Sequence, residues 1–272
     1  MQHARGRRGG AKAVVLRPVG AGKSSPVCVP VWDAIHPTQK ASAPDYWLIT
    51  QPDHAELSGA IAAALGPPSV PRLSPEVVQG IARHDDGWTA FDAQVSFTKG
   101  RPLSFIDFLP QDFLRAWNGS IESAEKIAPI AGAIVSGHFS RLGQNRLESH
   151  IDDAEDSRLL AAFLTREHER QRRLLGAHSH EEFEFLTDVL QFCDVLSLYL
   201  CCGAVQDVEF PQRFGSKPIR LRREASRNPD QAAVCRFDPS PFAEGGVDLA
   251  VSARRYPPDR HPGTATLPFL LW

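Results

Sequence analysis

Arg83-His84-Asp85-Asp86-Gly87-Trp88 follows directly on Ser74-Pro75-Glu76-Val77-Val78-Gln79-Gly80-Ile81-Ala82, and together these stretches decide how the chain is read. Ser74 is an N-cap residue by type, Pro75 suits the first helical position, and Glu76 complements the positive end of the helix dipole. Gly87 is a residue at which such a helix stops. Val77 and Ile81 set the buried stripe. His84 comes seven residues after Val77, and Asp85 four after Ile81, so both continue the inward face. An imidazole and a carboxylate turned inward need partners: a hydrogen-bond network, an opposite charge or a metal.

Outward from this segment the chain reads as helices. Residues 52–65 form one, stopped by Gly66-Pro67-Pro68, with His54, Leu57, Ile61 and Leu65 on one face. On the other side, 103–108 is a short helix or turn, and 111–126 is amphipathic through Phe113, Leu114, Trp117 and Ile121. The helix opened by Pro129 and ended by Gly143 carries Ala131, Ile134, Val135, His138 and Leu142 on its stripe, so another histidine points inward. A polar linker over 144–154 leads to a charged helix over 156–175. Residues 181–202 form the most apolar helix, a core element by composition. It holds Asp188 and Asp194, which six residues of helical rotation put on different faces.

Both ends read as β. Residues 13–17, 27–32 and 45–50 are β-branched or aromatic runs, with a polar loop over 36–44; after Gly203 come 208–210, 218–222, 232–237 and 247–253. The expected architecture is mainly α: a helical core over 51–204, with a small antiparallel sheet formed by β segments over 13–50 and 205–272 that pack on it (an α+β arrangement). Residues 1–12 are expected to be a disordered basic tail. Gly20-Ala21-Gly22-Lys23-Ser24 invites a phosphate-loop reading, but Arg17 stands where that motif needs glycine and Pro26 follows, so a plain turn is the better reading.

At 272 residues, with 42% hydrophobic and 23% charged residues, the composition is that of an ordinary globular chain. A net charge of −2 gives no reason to expect a nucleic-acid partner. No secretory signal and no run of transmembrane length is apparent; the most apolar stretch, 189–205, contains Gln191 and Asp194. The five cysteines lack C-x-x-C spacing and read as reduced core residues, so the expected location is cytoplasmic. A small-molecule substrate, phosphorylated or not, is the expected partner, with no membrane; a homodimer through the terminal β segments is left open.

His54, His84, Asp85 and Asp194 now stand out as inward groups on separate helices. Two imidazoles and two carboxylates make a mixed nitrogen and oxygen donor set suited to a divalent ion such as Fe, Mn, Mg or Zn. Each residue alone could equally be a hydrogen-bonded core group; the adjacent pair with one histidine before it and a core aspartate after it favours the metal.

In that order the four residues resemble the HD superfamily of metal-dependent phosphohydrolases, and the surroundings of Asp194 resemble its last-aspartate helix. More closely, Gln51-Pro52-Asp53-His54, His84-Asp85-Asp86-Gly87-Trp88, Val135-Ser136-Gly137-His138 and Asp238-Pro239-Ser240-Pro241-Phe242 look like an uncharacterised bacterial family of HD-like proteins, over roughly residues 45–255. The resemblance implies one metal held by His54, His84, Asp85 and Asp194. It makes His138 either an acid/base group or, with His168, a ligand of a second metal, although His168 sits in a charged run. Asp86 would orient a histidine. Arg83, Lys99, Arg101 and Arg141 are the candidate phosphate contacts, Arg83 and Arg141 foremost. Three functions follow: a hydrolase whose metal-activated water attacks a phosphoester, a di-iron oxygenase, or a non-catalytic module that binds a ligand or partner.

Overall fold

The computed structural model describes residues 14–19, 28–91, 97–98, 101–149, 153–224, 232–243, 245–257 and 263–272. Its helices are α1 (Val31–Lys40), α2 (Gln51–Ala64), α3 (Pro75–Ala82), α4 (Pro110–Glu125), α5 (Pro129–Glu148), α6 (Ala154–Leu175) and α7 (His180–Cys202). Its strands are β1 (Val14–Pro18), β2 (Val29–Pro30), β3 (Tyr46–Thr50), β4 (Phe97–Thr98), β5 (Arg101–Pro102), β6 (Val208–Glu209), β7 (Arg220–Arg223), β8 (Ala233–Asp238), β9 (Val247–Tyr256) and β10 (Thr264–Leu271). The basic tail and the Gly20–Ser24 segment lie outside the described residues.

The helical middle is built around α7. Every residue from Phe192 to Cys202 is buried, and α1, α2, α3 and α5 pack against this helix. By length and composition α7 reaches what a membrane span needs, which the reading of 189–205 did not anticipate. However, 83% of the qualifying window is buried inside the protein, as in a core helix.

The sheet departs from expectation. It is neither small nor antiparallel throughout: eight strands join in the order β1-β3-β9-β10-β8-β7-β6-β2. The pairs β10–β8 and β2–β6 are parallel, and the remaining neighbours run antiparallel. The sheet therefore spans the chain as a layer that α2 and α7 cover, rather than capping a helical domain. β10 decides this. It pairs with β9 over its full length, from Thr264 opposite Arg254 to Leu271 opposite Val247, and joins β9 to β8. Along β9 Asp248, Ala250, Ser252 and Arg254 are exposed while Val251 and Ala253 are buried, the period-two alternation of a sheet with one face on the core.

Residues 36–40, expected as loop, complete α1. Val31, Ala34 and Ile35 give it an inward face, and Pro30 stands at the N-cap. Its last buried residue, Gln39, performs a strand's task. The Gln39 amide accepts from the Leu16 N–H at 2.9 Å and donates to the Leu16 carbonyl at 2.8 Å, satisfying the free edge of β1. Ser104 Oγ donates to the same amide oxygen at 2.7 Å.

Two glycines read as stops serve close packing instead. α5 runs through Gly143 to Glu148, and a Cβ at Gly143 would stand 3.3 Å from the Leu164 side chain and 3.7 Å from that of Leu160, both on α6. α3 already ends at Ala82 with Arg83 at its C-cap, and Asp86–Phe91 forms a 3-10 turn. A Cβ on Gly87 would stand 1.9 Å from the Ala116 carbonyl oxygen and 2.6 Å from the Ser120 nitrogen, so glycine lets this turn lie on α4. The Gly87 N–H donates to Ser120 Oγ at 3.0 Å.

Candidate metal centre

Close backbone approaches bring the predicted residues together. Thr50 caps α2 by accepting from the Asp53 N–H, which places His54 in the first turn. α2 and α3 meet at Gly59, where a Cβ would lie 2.4 Å from the Ala82 Cβ, and this juxtaposes His54 with His84 just beyond α3. Gly137 similarly admits the Phe183 ring of α7, which sets His138 of α5 against Asp194. The rings of His54 and His84 cross edge-to-face at 5.3 Å, those of His84 and His138 at 5.4 Å.

All five ionisable side chains are buried: His54 (1% exposed), His84 (0%), His138 (2%), Asp85 (7%) and Asp194 (5%). Charges so far from water must be compensated. His84 Nδ1 lies 2.8 Å from the Ile81 carbonyl, which can only accept, so Nδ1 carries the proton. Its Nε2 has no hydrogen-bond partner and faces Asp194 Oδ1 at 3.4 Å and Asp85 Oδ2 at 3.7 Å. His54 follows the same pattern. The proton of Ser197 Oγ goes to the Asp194 backbone carbonyl at 2.8 Å, so Ser197 Oγ accepts from His54 Nδ1–H, also at 2.8 Å. That leaves His54 Nε2 directed at Asp85 Oδ2, 2.8 Å away.

Two imidazole lone pairs thus converge on two carboxylates, all of them acceptors, and only a cation reconciles them. A proton can serve: burial opposes charge on His84, but Asp85 and Asp194 outweigh it and push this imidazole up to about 9. Burial likewise opposes charge on Asp194, yet His84, His138 and His54 hold its carboxyl below the ordinary range. A metal can serve as well. Two ligands of one ion at bond lengths of about 2.0–2.2 Å stand no more than ~4.4 Å apart. The separations of 2.8, 3.4 and 3.7 Å fit that limit, and so does the 3.9 Å between His138 Nε2 and Asp194 Oδ2. The triads His54–His84–Asp85 and His84–His138–Asp194 could therefore hold a metal ion. Each anchoring histidine donates its other N–H to a fixed oxygen, as metal-binding histidines do.

The chain matches the model of a family described as "Protein of unknown function (DUF3891)" over residues 38–257. It belongs to that family. The matched region contains every residue of the cluster. No curated protein and no solved structure matches the chain.

Other predicted residues of this DUF3891 protein lie elsewhere. Asp86 accepts from Ser123 Oγ at 2.9 Å and touches no histidine, because the 3-10 turn points it to α4. Arg83 faces solvent beside Glu56 and Asp86. Arg141 is committed to Glu184, Asp188 and Gln191, each at 2.7 Å, which also accounts for Asp188. Arg101 is locked in a two-pronged pair with Asp107. Lys99 and His150 fall outside the described residues. His168 is exposed on α6, turned away because Phe163, Leu164, Glu167 and Gln171 form the buried face. His178 and His180 are exposed.

Sequence reading missed the cavity over the cluster. It has a volume of about 590 Å³ and is lined by His54, Asp85, His138 and Asp194 together with Trp32, Trp88, Phe105, Phe113, Trp117 and Phe139. Trp88 is at once core and wall. His36, Lys40 and Arg146 supply its remaining basic groups. The signal for Arg146 was present, since 138, 142 and 146 continue one helical stripe, and Ser197 follows Asp194 at the spacing of one turn.

Proposed function

We propose that this protein is a metal-dependent hydrolase of the HD type, acting on a phosphoester. The observation that carries the reading is His84 Nε2, a buried nitrogen without a hydrogen-bond partner that points between two carboxylates lining a cavity. His54, His84, Asp85 and Asp194 would hold one ion, with His138 beside it. The two imidazole ligands favour Fe, Mn or Zn over Mg, which prefers oxygen donors. Such an ion, when bound, lowers the pKa of a water and polarises the scissile ester.

The chain's own groups do the rest. Ser197 Oγ and the Ile81 carbonyl fix the two anchoring rings by accepting hydrogen bonds from their Nδ1–H groups. Burial holds His138 down to about 4, so it is neutral and able to take a proton from the attacking water and return it to the leaving alcohol. The aromatic walls exclude bulk water around the reacting ester. Water's oxygen bonds to phosphorus, the bond to the alcohol oxygen breaks, and the proton ends on the alcohol.

The test loads purified protein with Fe, Mn, Zn or Mg and assays mono- and bis-(p-nitrophenyl) phosphate. Turnover that depends on metal and is abolished by Asp194→Asn, with the fold retained, is expected. No turnover of either ester by fully loaded protein would refute it.

A further inference from the structure

The cavity has a direction. On α5, His138, Leu142, Asn145 and Arg146 line it, as does Ser149 at the C-cap, so it follows one stripe of that helix away from the metal centre. Eight residues separate His138 from Arg146, a rise of about 12 Å. α1 offers a matching stripe at intervals of four: Trp32, His36 and Lys40. The walls between are aromatic, with Trp117 stacked on Phe139 at 5.0 Å and against Phe113 at 4.5 Å.

Arg146 differs from the other arginines discussed. Arg83, Arg101 and Arg141 each meet a carboxylate within 4.0 Å, whereas Arg146 meets none among the described residues. Its guanidinium rests on the Phe113 ring, 4.8 Å from the centroid. Desolvation lowers its pKa, and among the described residues the carboxylate of Asp156 counters this at longer range. An exposed, ring-stacked guanidinium at the edge of a cavity, with no carboxylate within 4.0 Å among the described residues, is a binding group for an anion.

We propose that the substrate is an elongated amphipathic anion: an apolar, aromatic body along α5, its reacting ester at the histidine–aspartate cluster, and a terminal anionic group about 12 Å away on Arg146. This rests on the hydrolase reading for the reacting end, but the anion site is testable without turnover.

Calorimetry with 4-(2-naphthyl)butanoate and its uncharged analogue 4-(2-naphthyl)butan-1-ol tests it on the full chain. Wild-type protein is expected to bind the acid at least roughly tenfold more tightly than the alcohol, as for a charge-assisted hydrogen bond. Arg146→Met, which keeps the length of the side chain, should erase that preference and leave alcohol binding within about twofold. Arg146→Lys should restore part of it. An Asp194→Asn variant should keep the preference, because the anion does not sit at the cluster. A preference intact in Arg146→Met, a preference lost in Asp194→Asn instead, or no binding of either compound would each overturn the proposal. Metal content and phosphoester turnover of the same wild-type sample decide the hydrolase reading separately.

Discussion

Replacing Ser197 by alanine tests how the cluster is held. Ser197 is fully buried, and its Oγ accepts from His54 Nδ1–H at 2.8 Å and from Ser58 Oγ at 2.9 Å. Ser58 keeps an alternative acceptor in the His54 carbonyl at 3.0 Å, whereas the carboxylate facing His54 Nδ1, Asp194 Oδ1, stands 3.9 Å away, beyond hydrogen-bond reach. The variant therefore strands one buried donor, which costs about 1–3 kcal/mol of metal-free stability. It also frees the ring whose Nε2 points at Asp85. Loss of such a supporting partner lowers metal affinity about 10–100-fold, or about 1.4–2.7 kcal/mol. With free metal in excess, the stabilisation that metal confers falls by the same amount. At ~2–4 °C per kcal/mol, the metal-induced rise in Tm shrinks by roughly 3–10 °C. Chelator competition and thermal unfolding with and without metal read both quantities, and Ser197→Thr, which retains the hydroxyl, should recover most of the loss. If Ser197→Ala binds metal as tightly as wild type, the assignment of His54 Nδ1 as the anchored nitrogen is wrong.

Three further outcomes follow from packing and burial. Gly87→Ala forces a Cβ onto backbone atoms of Ala116 and Ser120, which no side-chain rotation relieves; a loss of about 1–3 kcal/mol in urea unfolding is expected, together with weaker metal binding because Asp85 lies two residues away. Burial raises the thiol pKa of Cys193, Cys201 and Cys202, and pushes Cys235 up to about 11. A folded pKa above the unfolded one means this stability is complete below about pH 8.5 and is lost as pH rises through the folded values, so unfolding free energy should fall from about pH 9 towards 11. In native protein at pH 8 only the exposed Cys28 should react rapidly with a thiol reagent. Fast reaction of all five would contradict the burial pattern.

Helix faces and the cluster were legible in the sequence because both are local. Apolar spacing at 3.6 residues fixed which side of each helix turned inward, and His54, His84, His138 and Asp194 each lay on such a stripe. The sheet was not legible, since its order depends on pairings between distant segments. β10 was the hardest part: Pro268 stands opposite Ala250 in a strand with neighbours on both sides, a position from which proline's missing N–H argues. Gly87 and Gly143 misled for a related reason, as both glycines answer to a second helix that the local sequence does not contain. Arg141 and Arg83 were chosen as phosphate contacts by nearness along the chain, and the fold gives both to carboxylates instead. Arg146, which meets no carboxylate within 4.0 Å among the described residues, sits five residues beyond Arg141 on α5.

The central claim is that His54, His84, Asp85 and Asp194 hold a metal, and elemental analysis of purified protein tests it most directly. The protein, supplied with Fe, Mn and Zn and then freed of excess, is compared with a His84→Ala, Asp85→Ala double variant and with His168→Ala. The account predicts about one equivalent of transition metal in wild type and in His168→Ala, and none in the folded double variant. Wild-type protein that takes up no metal from any of these ions, or a double variant that retains it, would contradict the account.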